Sequence, residues 1–431
     1  MPREMLIKIK DGETAVAITA DRQLDELFLP RQDHQDLLGN IYWGRVENVL
    51  PGMQAAFIDI GLAKNSFLYV EDALSPGQVS GALLPGEGPK DRQRSISELV
   101  HHDQQIMVQI FKEPFGTKGA RVTMHPSLPG RYVVLLPKGD YIAVSRRIEN
   151  ETERERLKEL IRTELPAGMG AIVRTVAAVT SPETILDDLR SLLKEWKRIL
   201  GRAAKANPPE LLYSDCDLLR KMIRDTNAAD IDRILVGSED EFEMVSGVCD
   251  VLAPGLKSRL KLCECDDLFA EYDIYTQIER AMRRKVWLKS GGYIIFDQTE
   301  ALTAIDVNTG KYVGEDNLAD TVFKTNMEAV AEIARQLRLR NIGGIVIIDF
   351  IDMDNVEDRR KLLDALTAEV RSDRVRVTVM GITQLGLVEL TRKKVGHSLS
   401  SVIETECPVC GGKGRVMNGM SGHDEAEKPT L

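Results

Sequence analysis

Two aspartates and one asparagine in the last third of the chain are the residues best placed to hold a divalent cation. Asp306 and Asp349 each lie near the end of an apolar run rich in β-forming residues, LTAID and GGIVIID. Two carboxylates, completed by water and phosphate oxygens, form a ligand set that Mg²⁺ prefers. Asn308 lies two residues beyond Asp306 and points to the same side of an extended backbone, where it can hold a phosphate or a water. The three residues therefore predict a magnesium site.

A strand–helix–strand unit must bring the two carboxylates together. Residues 301–307 and 345–350 are predicted strands, the second with the unbroken apolar run of a strand buried on both faces. Apolar residues at helical spacing lie between them, and this crossover makes the strands parallel. Both carboxylates then lie at one edge of the sheet, about 4.8 Å apart if the strands are neighbours. The alternative is that the aspartates only start turns or cap helices, as Asp354 is expected to do for the helix at 357–371.

Cys407 and Cys410, in the sequence CPVCGGKG, have the spacing of half a structural zinc site. The glycines that follow allow the backbone to turn tightly around a metal. Structural zinc takes four ligands, and the sequence has no second CxxC pair, so the same motif of a second subunit is the simplest source of the other two. A redox-active dithiol is the alternative, although no thioredoxin-like unit surrounds the pair. We therefore expect a homodimer linked through zinc.

The composition of the chain restricts its class. The 431 residues carry a formal net charge of -10, with 43% hydrophobic and 29% charged residues, as in globular proteins of roughly two to four domains. The negative charge argues against a surface that attracts nucleic acid everywhere, but it leaves room for basic patches. No apolar run approaches the ~20 residues of a membrane span, and the N-terminus MPREMLIKIK lacks the apolar core of a signal peptide. A cytosolic protein with six reduced cysteines is therefore expected.

Five short β-rich runs between residues 40 and 124 predict a small barrel of the OB type. A hairpin at 5–20 precedes them, and the stretch 75–97, rich in Gly, Pro and charge, is expected to be a surface loop. Aromatic residues alternate here with basic ones, a mixture that can stack bases and hold phosphates of single-stranded RNA. They are Trp43, Phe57, Phe67, Arg45, Lys64, Lys112 and Lys118. The alternative is that half of these aromatic residues belong to the barrel core.

The segment after the barrel is predicted to be mixed α and β. It contains several short strands, a charged helix at 151–165 and a helix that begins with the capping sequence SPET at Ser181. Arg146, Arg147 and Arg174 at strand ends are candidates for phosphate contacts. For each arginine, a solvated surface charge is the alternative.

The segments that flank the aspartate-bearing strands show less chemistry. Residues 217–269 predict helix, strand and helix, and residues 272–288 predict one helix that leads into the central stretch. After the second aspartate, VRVTVM is expected to be a strand that contains Arg376, with its side chain toward the cleft. The sequence ELTRKK at 389–394 predicts a helical end or a solvated surface patch.

Three motifs together closely resemble the bacterial ribonuclease E/G family: LTAIDVN, EIARQLRLRNIGGIVIIDFIDM and CPVCGGKG. The similarity runs from the first hairpin to the cysteines. It implies an endoribonuclease that hydrolyses single-stranded, AU-rich RNA and leaves a 5′-phosphate on the downstream product. The implied roles are RNA processing, including rRNA processing, and mRNA decay in the cytoplasm.

The resemblance also assigns roles to individual residues. Asp306 and Asp349 match the magnesium ligands of the family, and Asn308 matches the residue that helps to position the scissile phosphate. Cys407 and Cys410 match a zinc link that two protomers share. The RNA-holding surface of the barrel corresponds to Phe57, Phe67, Lys112 and Lys118. The pocket for a 5′-monophosphate corresponds to Gly130, Val134, Arg174, Thr175 and, less closely, Arg376.

The implied fold is an α+β multidomain architecture. An OB-type β-barrel is inserted in an RNase H-like subdomain, and a 5′-sensor subdomain, a DNase I-like α/β catalytic subdomain and a zinc-link complete the chain. The expected divisions are 1–38 and 217–281 for the RNase H-like parts, 39–124 for the barrel, 125–216 for the sensor, 282–402 for the catalytic subdomain, 403–416 for the zinc-link and 417–431 for a disordered tail.

Two features depart from the family pattern. The chain ends soon after the zinc motif, where relatives continue into a small domain or a long scaffold. A short form that dimerises through zinc is therefore expected, a tetramer stays open, and degradosome partners are not expected. Phe111 and Phe115 also stand in a barrel loop where more charge is expected.

Two rival functions stay open at this point. A non-catalytic RNA-binding assembly factor would use the barrel and the zinc-linked dimer but would leave the paired aspartates unexplained. A magnesium-dependent phosphatase for small molecules would use the aspartates but would leave the aromatic and basic barrel surface idle.

Overall fold

The computed structural model describes residues 2–30, 37–74, 95–114, 118–215, 217–310, 318–405, 407–412 and 414. The chain divides into two compact units, residues 1–278 and 279–431. In the described ranges, no helix combines the length and the apolar character that a membrane crossing requires. Most of the expected 75–97 loop, Phe115 and the tail from 417 lie outside the described residues.

The first unit contains three sheets and several helices. Its strands are β1 Arg3–Lys10, β2 Glu13–Ala20, β3 Gln23–Phe28, β4 Ile41–Leu50, β5 Ala55–Asp59, β6 Ser66–Tyr69, β7 Gln105–Lys112, β8 Arg121–Thr123, β9 Leu128–Pro129, β10 Val133–Leu136, β11 Ile142–Val144, β12 Gly170–Val173, β13 Glu210–Tyr213, β14 Arg233–Val236 and β15 Leu260–Leu262. Its helices are Val70–Ala73, Ile96–Leu99, Glu151–Arg162, Pro182–Ala203, Leu218–Asp225, Glu239–Leu252, Pro254–Lys257 and Leu268–Glu271, with 3-10 turns at Pro51–Met53, Thr175–Val179 and Ala228–Asp230.

The first sheet has the order β15-β14-β1-β2-β3 and joins strands from two distant parts of the sequence. β1 and β2 form the predicted hairpin, and positive φ angles at Asp11 (53°) and Gly12 (81°) make its tight turn. β1 also pairs in parallel with β14. The barrel and the sheet that follows it are therefore inserted, in sequence, between two halves of one layer.

The second sheet contains a closed five-stranded barrel, as the sequence predicted, and β13 adds a sixth strand that pairs with β4. The barrel strands follow the order β4-β5-β6-β8-β7, and an antiparallel pairing of β4 with β7 closes the barrel. Val46, Ile58, Leu68, Val108 and Val122 fill the interior. This architecture is consistent with an OB-type fold.

The third sheet has the order β11-β12-β10-β9 and packs against two amphipathic helices, Glu151–Arg162 and Pro182–Ala203. The second helix begins as predicted, because the Ser181 side chain accepts a hydrogen bond from the backbone N–H of Thr184 and Pro182 occupies the first turn. Leu189 and Trp196 of this helix lie in the buried core.

The second unit is built on one six-stranded sheet. Its strands are β16 Lys285–Trp287, β17 Tyr293–Gln298, β18 Leu302–Asn308, β19 Gly344–Asp349, β20 Val377–Ile382 and β21 Val388–Arg392, in the order β16-β17-β18-β19-β21-β20. Its helices are Leu318–Leu339, Val356–Val370 and Leu399–Ile403, and helix Ile274–Met282 contains the division between the units. β18 and β19 are parallel, as the predicted crossover requires.

Only one face of this sheet is buried. Val346 and Ile348 are fully buried in a core shared with Ile333 and Leu366 of the two long helices. Ile345, which precedes Val346 on β19 and projects to the other face, is 50% exposed. The prediction that residues 345–350 are buried on both faces was therefore wrong, because the helices cover one side of the sheet and leave the other open.

Three local predictions in this region were also wrong. Residues 272–288 do not form one helix, since helix Ile274–Met282 ends before β16 begins. The sequence at 389–394 lies mostly in β21, where Arg392 is buried beside Asp373 rather than solvated. The helix Val356–Val370 is capped by Asn355, whose side chain accepts from the N–H of Glu357, and not by Asp354.

Candidate active site

Asp306 and Asp349 are direct neighbours across two parallel strands. The register of β18 and β19 pairs the two residues with each other at the carboxyl ends of both strands. Adjacent strands lie about 4.8 Å apart, so the two carboxylates can converge on one cation. Both side chains are exposed on the open face of the sheet, whereas Ile305 and Val307 on either side of Asp306 are buried. The geometry that the sequence predicted for the pair is therefore present.

Asn308 lies beside this pair and contacts it directly. Its side-chain amide donates a hydrogen bond of 2.8 Å to the Oδ2 atom of Asp306. The backbone around Asn308 is tightly packed, because a Cβ at Gly292 would lie 2.9 Å from the Asn308 carbonyl oxygen. Glycine at 292 thus permits the close approach of β17 to the end of β18. Asn308 orients one carboxylate of the pair.

The electrostatics of Asp349 fit a cation site. Its pKa is raised above the ordinary value, first by partial desolvation and then by the negative charges of Asp306 and Asp352. A divalent cation would remove this repulsion, and oxygen ligands suit Mg²⁺. Within the described ranges no group of three or more His, Cys, Asp or Glu side chains converges to hold a metal ion. The pair therefore fits a magnesium ion that keeps its other positions for water and substrate oxygens.

Asn326 positions the chain that follows Asp349. This residue of helix Leu318–Leu339 is fully buried and makes two hydrogen bonds to Ile351, donating to its carbonyl oxygen at 2.8 Å and accepting from its N–H at 3.1 Å. The contact spans 25 residues of sequence. Sequence reasoning missed Asn326; its only local signal was a polar residue on the apolar face of the predicted helix.

Phe57 and Phe67 are brought together on the barrel surface. They are paired in the register of β5 and β6, with their ring centroids 4.9 Å apart in an edge-to-face arrangement. Tyr69 continues the row, 4.9 Å from Phe67. Both phenylalanines are only partly buried, so the rings are accessible. Trp43, in contrast, packs beside the core of the neighbouring sheet and belongs to a different surface.

A basic residue that sequence reasoning missed completes this aromatic row. Arg121 is paired with Phe67 in the register of β6 and β8, and its guanidinium lies 4.5 Å from the Tyr69 ring centroid and 5.1 Å from that of Phe111. Lys112 pairs with Arg121 across β7 and β8 and is exposed. Lys118, also exposed, precedes β8. The barrel therefore carries rings and cations on adjacent strands, although Asp72 already pairs with Arg121.

The residues predicted for the 5′-phosphate pocket lie around the third sheet. Arg174 donates to the carbonyl oxygen of Gly130 at 2.8 Å, so these two are in contact. The hydroxyl of Thr175 lies 2.9 Å from that of Ser145. Val134 is partly buried on β10, the strand that begins three residues after Gly130. The structure thus places the first-unit members of the set on neighbouring segments.

Two aspartates that sequence reasoning missed hold this region. Asp188 accepts hydrogen bonds from the backbone N–H groups of Arg131, Tyr132 and Val133, and burial raises its pKa. Asp225 accepts from Arg174 at 2.7 Å. Although burial opposes it, hydrogen bonding and charge from Arg224 and Arg174 lower the pKa of Asp225. No local sequence pattern predicts either role, because the hydrogen bonds of Asp188 and Asp225 join residues more than 40 positions apart.

Arg376 belongs to the second unit and does not lie near the carboxylate pair. It immediately precedes β20, and its neighbours Val377 and Arg392 are level with Gly344, at the start of β19. Asp349 is at the other end of β19, about 17 Å along the strand. Arg376 therefore lies just before the strand that was predicted to contain it. It is at the opposite end of the strands from the candidate cation site. Arg146 and Arg147 are exposed surface charges.

Cys407 and Cys410 form a compact turn. The N–H of Gly411 donates to the Cys407 carbonyl oxygen at 2.8 Å, and the N–H of Gly414 donates to the Cys410 sulfur at 3.3 Å. Positive φ angles at Gly411 and Gly414 allow this path. Hydrogen bonds from the backbone of Cys410 and Val409 lower the pKa of the Cys407 thiol. Two cysteine sulfurs at this spacing fit two of the four ligands of a zinc ion.

Comparisons with known proteins show which family the chain belongs to. The Ribonuclease E/G family profile matches residues 127–395. Ribonuclease G of Escherichia coli strain K12 is 43% identical over 418 residues, which are 96% of this chain and 85% of that protein. Ribonuclease G of Haemophilus influenzae is 42% identical over 96% of this chain and 84% of its own length, and Ribonuclease E of a Nostoc species is 39% identical over 100% of this chain and 61% of its own length. The chain therefore belongs to the ribonuclease E/G family of endoribonucleases.

Proposed function

We propose that this protein is a magnesium-dependent endoribonuclease that hydrolyses single-stranded, AU-rich RNA and leaves a 5′-phosphate on the downstream product, in RNA processing and mRNA decay. The observation that carries the proposal is the direct pairing of Asp306 with Asp349 on parallel strands. The similarity to Ribonuclease G and Ribonuclease E supports the choice of RNA as substrate.

The chain's own residues have distinct tasks in this reaction. Asp306 and Asp349 would hold the magnesium ion, which when bound polarises the scissile phosphate and lowers the pKa of a water molecule. Asn308 fixes the orientation of Asp306 through its 2.8 Å hydrogen bond and lies where its amide can also contact a phosphate oxygen. Partial desolvation and the neighbouring negative charges raise the pKa of Asp349, and these charges favour binding of a cation once the carboxyl is ionised. Asn326 keeps the segment after Asp349 in place.

The barrel supplies a surface for single-stranded RNA. The partly exposed rings of Phe57 and Phe67 can stack on bases, and Lys112 and Lys118 can neutralise phosphates. Stacking on a ring requires unpaired bases, which supports a single-stranded substrate. The preference for AU-rich sequences rests on the family resemblance.

A pocket for a 5′-monophosphate is the second RNA contact that we propose. Arg174 provides the cation, Gly130 accepts a hydrogen bond from it through its carbonyl oxygen, and Thr175 provides a hydroxyl on the next residue. Val134 on β10, in the strand that follows Gly130, is the apolar member of the proposed pocket. The assignment of Arg376 to the same pocket stays a prediction, and that residue lies in the second unit.

Cys407 and Cys410 are proposed to bind a structural zinc ion together with the same two residues of a second copy. The turn presents two sulfurs at the spacing of a zinc ligand pair, and the described part of the chain contains no cluster that supplies the remaining ligands. A shared site satisfies the four-ligand requirement through two-fold symmetry. The proposed assembly is therefore a homodimer.

The decisive assay uses a 5′-monophosphorylated, AU-rich oligonucleotide. With magnesium, the full chain should cut it at discrete internal positions and leave a 5′-phosphate on the downstream fragment, whereas a chelator should abolish the cut. Binding without any internal cut would instead identify a non-catalytic RNA-binding protein. Release of phosphate from the 5′ end alone would identify a phosphatase.

A further inference from the structure

Lys285 lies in the same row of side chains as the candidate cation site. The strand register pairs Lys285 of β16 with Ile295 of β17, Ile295 with Asp306, and Asp306 with Asp349. Residues that are paired across neighbouring strands project to the same face of the sheet. The Lys285 side chain therefore lies on the open face. The backbone of Lys285 is two strands from that of Asp306, a separation of about 10 Å across the sheet.

Two aromatic side chains form the next row on that face. Trp287 is paired with Tyr293, and Tyr293 is paired with Asn308, the residue that orients Asp306. The two ring centroids are 5.5 Å apart. The Lys285 ammonium lies 3.9 Å from the centroid of Trp287 and 3.6 Å from that of Tyr293. Lys285, Trp287 and Tyr293 thus form one cluster, which we call the open-face cluster.

The open-face cluster is accessible and retains an uncompensated charge. Trp287 is 61% exposed, whereas the other tryptophans, Trp43 and Trp196, are partly and almost fully buried. The adjacent Arg284 is paired with Asp297. In the part of the chain that the structure describes, the Lys285 ammonium contacts the two rings but makes no ion pair. A phosphate can therefore approach Lys285 without displacing a carboxylate.

We propose that the open-face cluster is a stacking site for a base of single-stranded RNA, next to the phosphodiester bound at Asp306 and Asp349. Exposed aromatic rings beside a cation are the chemistry that recognises unpaired bases together with their phosphates. The inference rests on the proposed nuclease function and adds a contact on the second unit itself.

The distances suit a substrate that already occupies the cation site. The backbone of Trp287 is two strands away from that of Asp306 and is displaced by two residues along the strand direction. The resulting separation of the two backbones is about 12 Å. A single strand bound at the aspartates can cover this separation within a few nucleotides. Tyr293 lies between the open-face cluster and the two aspartates, because its pairing partner Asn308 contacts Asp306.

Binding is tested with the full chain and a 5′-monophosphorylated, AU-rich oligonucleotide in a magnesium-free buffer, where no cleavage occurs. Because Trp287 is the exposed tryptophan, RNA should quench the intrinsic fluorescence of the protein, and Trp287→Phe should lose most of the quenching. Trp287→Ala should weaken binding by about tenfold, whereas Trp287→Phe should stay within about threefold of the wild type, since a phenyl ring also stacks. The matched control is Met380→Ala on β20, the opposite edge strand, where Met380 is 65% exposed.

A scan with single abasic nucleotides separates stacking from a general effect on the fold. At one position near the cleavage site, loss of the base should weaken binding to the wild type as much as Trp287→Ala does, and should have no further effect on that variant. With magnesium present, Trp287→Ala should raise KM with little change in kcat, because ground-state stacking is lost. Lys285→Gln should reduce the dependence of binding on salt concentration.

Three results would overturn the inference. Trp287→Ala could bind and cleave RNA like the wild type, the abasic scan could affect both proteins equally at every position, or Trp287→Ala could change the particle mass in light scattering, which would mean that a second copy covers the open-face cluster. Failure of the nuclease proposal looks different, because the wild type would then lack magnesium-dependent internal cleavage whatever residue occupies position 287.

Discussion

Arg174 donates a hydrogen bond of 2.7 Å to Asp225, so the cation of the proposed 5′-phosphate pocket already has a carboxylate partner. The same guanidinium nitrogen also donates to the carbonyl oxygen of Gly130. A 5′-monophosphate must therefore share Arg174 with Asp225 and approach the negative charge of that carboxylate. Asp225 both orients the guanidinium and opposes the ligand.

Asp225→Asn should lower the KM for a substrate that carries a 5′-monophosphate. The amide oxygen of Asn can still accept from Arg174, but the negative charge that repels the phosphate is gone. For a partly exposed pair the gain is about 1 kcal/mol, or about fivefold in KM for a 5′-monophosphorylated substrate. Steady-state cleavage of matched 5′-monophosphate and 5′-hydroxyl oligonucleotides measures the effect.

Asp225→Ala is the control for this variant, because it removes the charge and the oriented acceptor together, and it should not reproduce the gain. An equal change for the 5′-hydroxyl oligonucleotide would contradict the account, since that substrate has no terminal phosphate to repel.

The raised pKa of Asp349 predicts how activity depends on pH. Partial desolvation and the charges of Asp306 and Asp352 favour the protonated form of Asp349, and a proton competes with magnesium for the same oxygens. The magnesium concentration for half-maximal activity should therefore rise as the pH falls through the titration of Asp349. Asp352→Asn removes one charge that raises the pKa of Asp349. The loss of activity on the acid side of the pH profile should therefore move to lower pH. An unmoved acid side of the Asp352→Asn profile would count against Asp349 as the titrating ligand.

The buried pair Arg392 and Asp373 should dominate the local stability of the second unit. Both side chains are 4% exposed, and Arg392 also donates to Asn341 and to the carbonyl oxygen of Ile342. Arg392→Met leaves an uncompensated buried carboxylate and should lower the free energy of unfolding by about 3–5 kcal/mol. Chemical denaturation measures this loss. Lys393→Met, at the exposed neighbouring position, should change stability by less than about 0.5 kcal/mol; equal effects of the two variants would refute the assignment.

Replacing Cys407 and Cys410 together by serine should remove bound zinc and separate the proposed dimer. Serine keeps the size of the side chain but lacks the thiolate that zinc requires. Metal analysis and light scattering measure the two effects on one sample. Cys263→Ser alters a cysteine outside the motif and should change neither quantity. A double variant that keeps the mass of the wild type would show that the zinc motif does not join the subunits.

The sequence predicted the paired aspartates because local pattern and chain connectivity were sufficient. Two apolar runs separated by one helix must form parallel strands, and this places Asp306 and Asp349 at one edge. The barrel followed in the same way from short runs with strand composition, whereas the pairing of Phe57 with Phe67 emerged only from the structure. Asn308 was placed correctly because side chains two residues apart on a strand share a face.

Contacts between distant segments could not be predicted in this way. Asn326, Asp188 and Asp225 act through hydrogen bonds to residues far away in sequence, and no periodicity records such partners. The helix predicted at 272–288 was wrong because an apolar and charged run continues into β16 without a marked break. The exposed side of β19 was missed because an apolar strand does not reveal which of its faces is covered.

The most direct test of the central claim compares single-turnover cleavage by Asp306→Asn, Asp349→Asn and Asp354→Asn at saturating magnesium. Asn keeps the shape of each ligand but removes the charge, so the first two variants should lose about a thousandfold in rate while their RNA affinity changes by less than about twofold. Asp354→Asn, an exposed carboxylate in the segment after β19, should cleave like the wild type. Magnesium-dependent cleavage at the wild-type rate by either Asp306→Asn or Asp349→Asn would contradict the assignment of the two aspartates as the metal ligands.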